Sequence, residues 1–186
     1  PDLADNPIPK LCSIITKLYQ YKLDNGNENF LPSNLEIVNI EIGNNAMNVI
    51  PARAIAKINV RFNDLHKPED IQNIITKICK NSNYNFELKI IGSTSEAFIT
   101  HNDKLIELIQ ETIFEKTSIK TTASTTGGTS DARFIKNYAP VIEFGLINKT
   151  AHKVNEQVKV SDIYLLTDIY ESILEKYFSW NLKTDL

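Results

Sequence analysis

The sequence predicts an α/β chain in two parts, a split βαβ (ferredoxin-like) unit lacking its first strand over residues 1–97 and an alternating α/β segment over residues 98–186. Three observations predict it. Residues 54–62 alternate, with Ala54, Ala56, Ile58, Val60 and Phe62 on one face and Lys57, Asn59 and Arg61 on the other, which is the period of a half-buried strand. Behind the start signal Pro68-Glu69-Asp70, Ile71, Ile74, Ile75, Ile78 and Cys79 recur at helical spacing instead. After Ser93-Thr94-Ser95-Glu96 the order changes to helical stretches separated by short apolar runs.

Taken in order, Asn6 caps a first helix from residue 7 to about 22, with Pro7 in the first turn, where its missing N–H costs nothing. Its stripe is Ile8, Leu11, Cys12, Ile15, Leu18 and Tyr19. The Asn- and Gly-rich run 24–34 is a loop. A strand follows in which Val38, Ile40 and Ile42 alternate against Asn39 and Glu41. The 54–62 strand and the 68–79 helix come next, and Phe86, Leu88 and Ile90 predict a third strand. Helix, strand, strand, helix, strand is a split βαβ unit without its first strand. Such a unit leaves a sheet edge uncovered, so the expectation is a piece of a longer protein or a partner that supplies the strand.

The second part predicts a helix over 102–116 with Leu105, Leu108, Ile109, Thr112 and Ile113 on one side. Short strands near 120–123 and 141–144 flank a helix over 130–137. A final helix over 161–178 packs Ile163, Leu166, Tyr170, Ile173, Leu174 and Tyr177.

A hydrophobic content of 42%, a charged content of 23% and only 6 glycines and 7 prolines describe a soluble globular protein. A formal charge of −3 without a basic run gives no field for nucleic acid. Cys12 and Cys79 both fall on helical stripes and read as buried reduced thiols. No apolar run approaches a membrane span, so a cytoplasmic setting is the default. The chain opens on Pro1 rather than methionine, however, which leaves a targeting segment untested.

Chemistry concentrates between Ser124 and Glu156. Gly127 and Gly128 let the backbone turn sharply and approach a ligand, and Thr129, Ser130 and Asp131 suit a helix cap, where free N–H groups receive an anion. Downstream, the run Asn148 to Glu156 is a polar loop around His152. Each half alone also fits a plainer reading, an ordinary capped loop and a solvent-exposed or hydrogen-bonded histidine.

Their combination is more specific. Gly-Gly-Thr-Ser-Asp-Ala-Arg-Phe at 127–134, Glu-Phe-Gly at 143–145 and Asn-x-Thr-x-His-x-Val-Asn-Glu at 148–156 resemble the C-terminal region of the bacterial succinyl-diaminopimelate desuccinylases. These enzymes sit in a di-zinc exopeptidase and deacylase family. Pro1 to Pro7 resembles the second half of the family motif G-H-V-A-Y-P-x-L-A-x-N-P, whose histidine would fall just before Pro1. The resemblance implies that residues 1–97 are most of an inserted lid that makes the dimer contact. Residues 98–186 then form the C-terminal segment of a zinc-hydrolase catalytic domain.

It further implies two Zn2+ ions per full-length subunit, with Co2+ able to substitute, and His152 as one ligand. The activity implied is hydrolysis of N-succinyl-LL-2,6-diaminopimelate to succinate and LL-2,6-diaminopimelate, in lysine and diaminopimelate biosynthesis, by a homodimer. The family's other ligands and its general-base glutamate lie upstream, so no catalytic residue falls in this chain. Gly128, Thr129 and Asn148 match positions near the substrate, and Arg61 matches a lid arginine that holds a substrate carboxylate. Asn48 and Thr94 match further substrate contacts.

Met47 stands where many relatives have a second asparagine, and Ala132 replaces a usual glycine. His66 and His101 match no ligand and read as surface residues. Two other readings stay open. Acetylornithine deacetylase or a related metallocarboxypeptidase is disfavoured because such enzymes carry an H-x-P-D-E type sequence where this chain has His152-Lys153-Val154-Asn155-Glu156. The other is a non-catalytic, dimerising and carboxylate-binding fragment.

Overall fold

The structure is a computed structural model that describes residues 4–43, 46–92, 95–126 and 130–184. They divide into two compact units, Pro1–Phe98 and Ile99–Leu186. The first unit is built from α1 (Pro7–Gln20), β1 (Asn34–Glu41), β2 (Ile55–Arg61) and α2 (Pro68–Lys80). Asn6 caps α1 by accepting a hydrogen bond from the Ile8 N–H at 3.0 Å. At the start of α2 the Asp70 carboxylate reaches back to the Lys67 N–H at 2.9 Å. Both starts satisfy donors that a bare helix end would leave open.

β1 and β2 pair antiparallel from Asn34↔Arg61 to Glu41↔Ile55. Leu35, Ile37, Ile58 and Val60 face inward onto Ile14 and Leu18 of α1 and onto Ile71, Ile75 and Cys79 of α2. Leu18, 1% exposed, is the most deeply buried of these core residues. Burial also pushes the Cys79 thiol pKa above its ordinary value, as desolvation disfavours a thiolate.

Three expectations for this unit change. The register slips between Ile37 and Asn39, so Val38 is an exposed bulge residue and does not share a face with Ile40. Cys12 is exposed, because the buried line of α1 runs through Ile14 and Leu18 and turns Cys12 and Tyr19 toward solvent. The third strand expected at 86–90 does not form among the described residues: Phe86, Leu88 and Ile90 alternate in sequence but have no ladder there and are exposed. Among the described residues this unit is therefore a two-stranded antiparallel sheet packed with two helices.

The second unit contains α3 (Asp103–Thr117), α4 (Ala132–Ile135) and α5 (Val160–Thr184). Asn102 caps α3 through the Leu105 N–H at 3.1 Å, and Ser118 ends it in a left-handed conformation, φ 60°. Ile113 of α3 and Ile169 and Ile173 of α5 form its core, joined by Leu108, Ile109 and Phe144. The Tyr170 hydroxyl donates to the Phe144 carbonyl, fixing the 141–147 segment against α5.

Here too the expected strands, 120–123 and 141–144, form no ladder among the described residues. The helix expected over 130–137 contracts to the single turn of α4. The buried face of α5 passes through Ile169 and Ile173, leaving Ile163, Tyr170, Leu174 and Tyr177 of the expected stripe partly exposed. That helix is apolar on more than one side, so periodicity alone does not select the face that packs. No helix among the described residues is long and apolar enough to cross a membrane.

Replacing Leu18 by Ala should cost the first unit about 2–5 kcal/mol by leaving a cavity in its core. The same change at exposed Cys12 should stay within about 0.5 kcal/mol. Urea unfolding of the two variants tests the corrected face of α1.

Candidate metal and substrate site

His152 lies in a tight loop between the 141–147 segment and α5. It is exposed, with a left-handed backbone, φ 61°. The loop closes on itself. The Ala151 N–H donates to the Asn148 carbonyl at 3.1 Å and the Lys153 N–H to the Thr150 carbonyl at 3.0 Å. Thr150 then ties the two ends together: its hydroxyl donates to the Gln157 carbonyl at 2.8 Å and accepts from the Gln157 N–H at 3.0 Å. His152 and Asn148 are thus brought into one turn-rich loop, both of them exposed residues. An imidazole has the chemistry of a metal ligand.

Among the described residues no group of three His, Cys, Asp or Glu side chains converges to hold a metal ion. Gly128, Thr129 and Thr94 lie outside the described residues. Just beyond the glycine pair, α4 carries Arg133, whose Nε is buried without a hydrogen-bond partner among the described residues while its guanidinium stacks 4.7 Å from the Phe134 ring centre. A buried donor of this kind is costly unless something accepts from it. Sequence reasoning passed over Arg133, although its place right after a helix cap was visible.

The two candidates in the first unit stand apart. Arg61 is the last residue of β2, on the exposed face with Lys57 and Asn59, and makes no ion pair among the described residues. Asn48 sits in the turn that joins the opposite end of the hairpin. With Asn6, Ile8, Ile42, Met47 and Val49 it lines an open cleft of about 480 Å³. The six steps from Ile55 to Arg61 alone span roughly 20 Å at about 3.3 Å per residue. A single small substrate cannot rest on both residues of one hairpin.

One cluster in this unit escaped the sequence reading. The Asp24 carboxylate accepts hydrogen bonds from the Gly26 N–H at 2.6 Å, the Ser33 N–H at 3.2 Å and Asn63 Nδ2 at 2.8 Å. The ring nitrogen Nε2 of His66 lies 3.1 Å from its other oxygen, with the two side chains 13% and 8% exposed. His66 is therefore not a surface residue as expected from its loop position. Gly26 completes the turn with φ 71°, and a Cβ there would meet the Phe30 carbonyl oxygen at 2.5 Å. The signal was the Asp24-Asn25-Gly26 turn itself, since a carboxylate two residues ahead of a left-handed glycine is placed to accept that glycine's N–H.

Burial raises the Asp24 pKa, but the Ser33, Gly26 and Asn63 hydrogen bonds outweigh it and hold the group well below its ordinary 3.8.

Comparison with known proteins shows what this chain is similar to. A family model, the peptidase dimerisation domain, matches residues 1–87. Over 93% of its length the chain also superposes, with a TM-score of 0.55 and 17% identity, on 42% of an M20 family metallo-carboxypeptidase from Sulfolobus solfataricus. At that identity the likeness speaks for the fold, a mixed α/β arrangement.

Particular relatives are nearer. The chain is 48% identical over 179 residues to a succinyl-diaminopimelate desuccinylase of Ehrlichia canis, covering 96% of this chain and 47% of that protein. It is 43% identical, again over 96% of its length, to the enzyme of the same name from Wolbachia pipientis, of which it covers 45%. These matches bear out the resemblance read from the motifs. The chain spans about half the length of the curated relatives it matches.

Two outcomes test this geometry. A depressed carboxylate stabilises the fold fully above its unfolded pKa and loses that contribution as pH falls toward its folded one. The wild type should therefore lose stability relative to Asp24→Asn as pH drops from about 5 to about 2, with the difference constant above that window; thermal melts across pH measure it. Thr150→Val should remove both hydrogen bonds to Gln157 and cost about 1–3 kcal/mol, seen as faster amide exchange at Gln157.

Proposed function

We propose that this chain is the carboxy-terminal half of a metal-dependent amide hydrolase that cleaves N-succinyl-LL-2,6-diaminopimelate to succinate and LL-2,6-diaminopimelate. The reading is carried by one observation, the identity of 43–48% to such desuccinylases across 96% of the chain. It is supported by the self-closed loop that holds His152 out to solvent. The setting that goes with it is cytoplasmic lysine and diaminopimelate biosynthesis.

In this reading residues 1–97 form most of the lid and make the homodimer, and residues 98–186 contribute to the catalytic domain. His152 fits a single position in a Zn2+ site, since the residue is exposed and its backbone is fixed by bonds that do not involve the ring. The remaining ligands and the general-base glutamate come from the other half of the full-length enzyme. When bound, the metal polarises the amide carbonyl and activates water.

The chain's own residues would bind and orient the substrate. Gly128 and Thr129 would offer N–H and hydroxyl donors to a carboxylate or to the developing oxyanion, and the Asn148 amide would be a further donor. The unpartnered Nε–H of Arg133, four residues beyond Thr129, is a further donor suited to an anion. On the lid, Arg61 would fork onto a substrate carboxylate, while Asn48 and Thr94 would add polar contacts. Because Asn48 and Arg61 sit at opposite ends of the hairpin, a dimer in which each lid serves two sites accommodates both.

The 186-residue chain by itself should show no turnover with Zn2+ and succinyl-diaminopimelate, and joining it to the amino-terminal half should restore hydrolysis. In the restored enzyme His152→Ala should lower activity by more than the roughly 10–100-fold typical of losing an outer-shell partner. Preference for succinyl-diaminopimelate over acetylornithine, measured as kcat/KM, separates this enzyme from its acetyl-specific relatives.

A further inference from the structure

We propose that Asp24, Asn63 and His66 form a positioning node that sets the direction of Arg61. The inference rests on the reading of Arg61 as a carboxylate-holding residue. Arg61 closes the β1–β2 ladder, where the final pair is Asn34↔Arg61. Its side chain is exposed and makes no ion pair among the described residues, so the backbone beneath it is what holds the place from which the guanidinium reaches. The last pair of an isolated two-stranded ladder is the place where such a sheet frays.

The node takes over where the ladder stops. Two residues beyond Arg61, Asn63 is 4% exposed and engaged through its backbone and both side-chain polar atoms. Its N–H donates to Ser33 Oγ at 3.0 Å, continuing the cross-link between strand ends through a side chain. Its Nδ2 donates to Asp24 at 2.8 Å and to the Leu31 carbonyl at 3.1 Å, and its Oδ1 accepts from the Leu65 N–H at 3.0 Å. The Ser33 N–H, just ahead of β1, ends on the same Asp24 carboxylate.

The entry to β1 and the exit from β2 are thus clamped on one anion, and His66 lies against its Oδ2, which also accepts from the Ser33 N–H. An apolar loop closure would hold the two chain segments together without burying a charge. Directional hydrogen bonds add angular definition at the backbone that carries Arg61. Asp24, Asn63 and His66 touch no substrate in this scheme; they act through Arg61.

Steady-state kinetics on the full-length enzyme test this. His66→Ala should raise KM for succinyl-diaminopimelate within roughly 2–160-fold, the span of contact-coupled sites, with kcat held within about twofold. His66→Gln, which keeps a donor toward Asp24, should recover most of the loss. In an Arg61→Ala background, His66→Ala should add nothing further to KM. If the two substitutions multiply, or if Gln fails to rescue while Asp24→Asn lowers only the melting temperature, the node serves stability alone and the proposal falls. If Arg61→Ala itself leaves KM unchanged, the reading of Arg61 is wrong and the node has nothing to position; that result is distinct from multiplicative losses.

Discussion

Backbone pairing governs what this chain can form. A helix satisfies its own N–H and C=O groups, whereas an extended segment becomes a strand only when a neighbour accepts and donates along its edge. β1 and β2 supply each other with that neighbour and hold α1 and α2 over their inner face. Residues 86–90 and 141–144 have the composition of strands but no ladder among the described residues. If the chain is half of a larger enzyme, as proposed, the edges they need belong to segments outside it. The same reading accounts for the exposed apolar side chains of α5, such as Tyr164, Leu174 and Phe178.

This rule also sorts what was legible in the sequence. The longer helices among the described residues are legible because capping and periodicity are local: Asn6 before Pro7 and Asn102 before α3 mark their own positions. The β1–β2 hairpin was found because its inner face alternates. The bulge at Val38 was not, because one extra residue in a strand leaves no compositional mark. Choice of face failed where a helix has apolar residues on several sides, as with Cys12 on α1 and Tyr170 on α5. There the tertiary partner decides, and the partner is not written in the helix itself.

The candidate site divides along a similar line. His152 and Asn148 share one contiguous motif, and the structure places both in one loop. His66 was read as superficial because its partner, Asp24, is 42 residues away in sequence. Arg133 was passed over for the opposite reason: its local context is a plain helix start, and only burial of its Nε sets it apart. Long-range polar contacts of this sort arise from how loops return to one another, which periodicity does not encode.

The paired hydrogen bonds between Thr150 and Gln157 make the histidine loop a small self-contained ring. Its shape depends on eight consecutive residues and not on where α5 begins. Homologues can therefore lengthen, shift or re-angle that helix during divergence while the imidazole keeps its bearing. Mechanical independence of this kind lets a lineage alter its scaffold freely around an unchanged histidine.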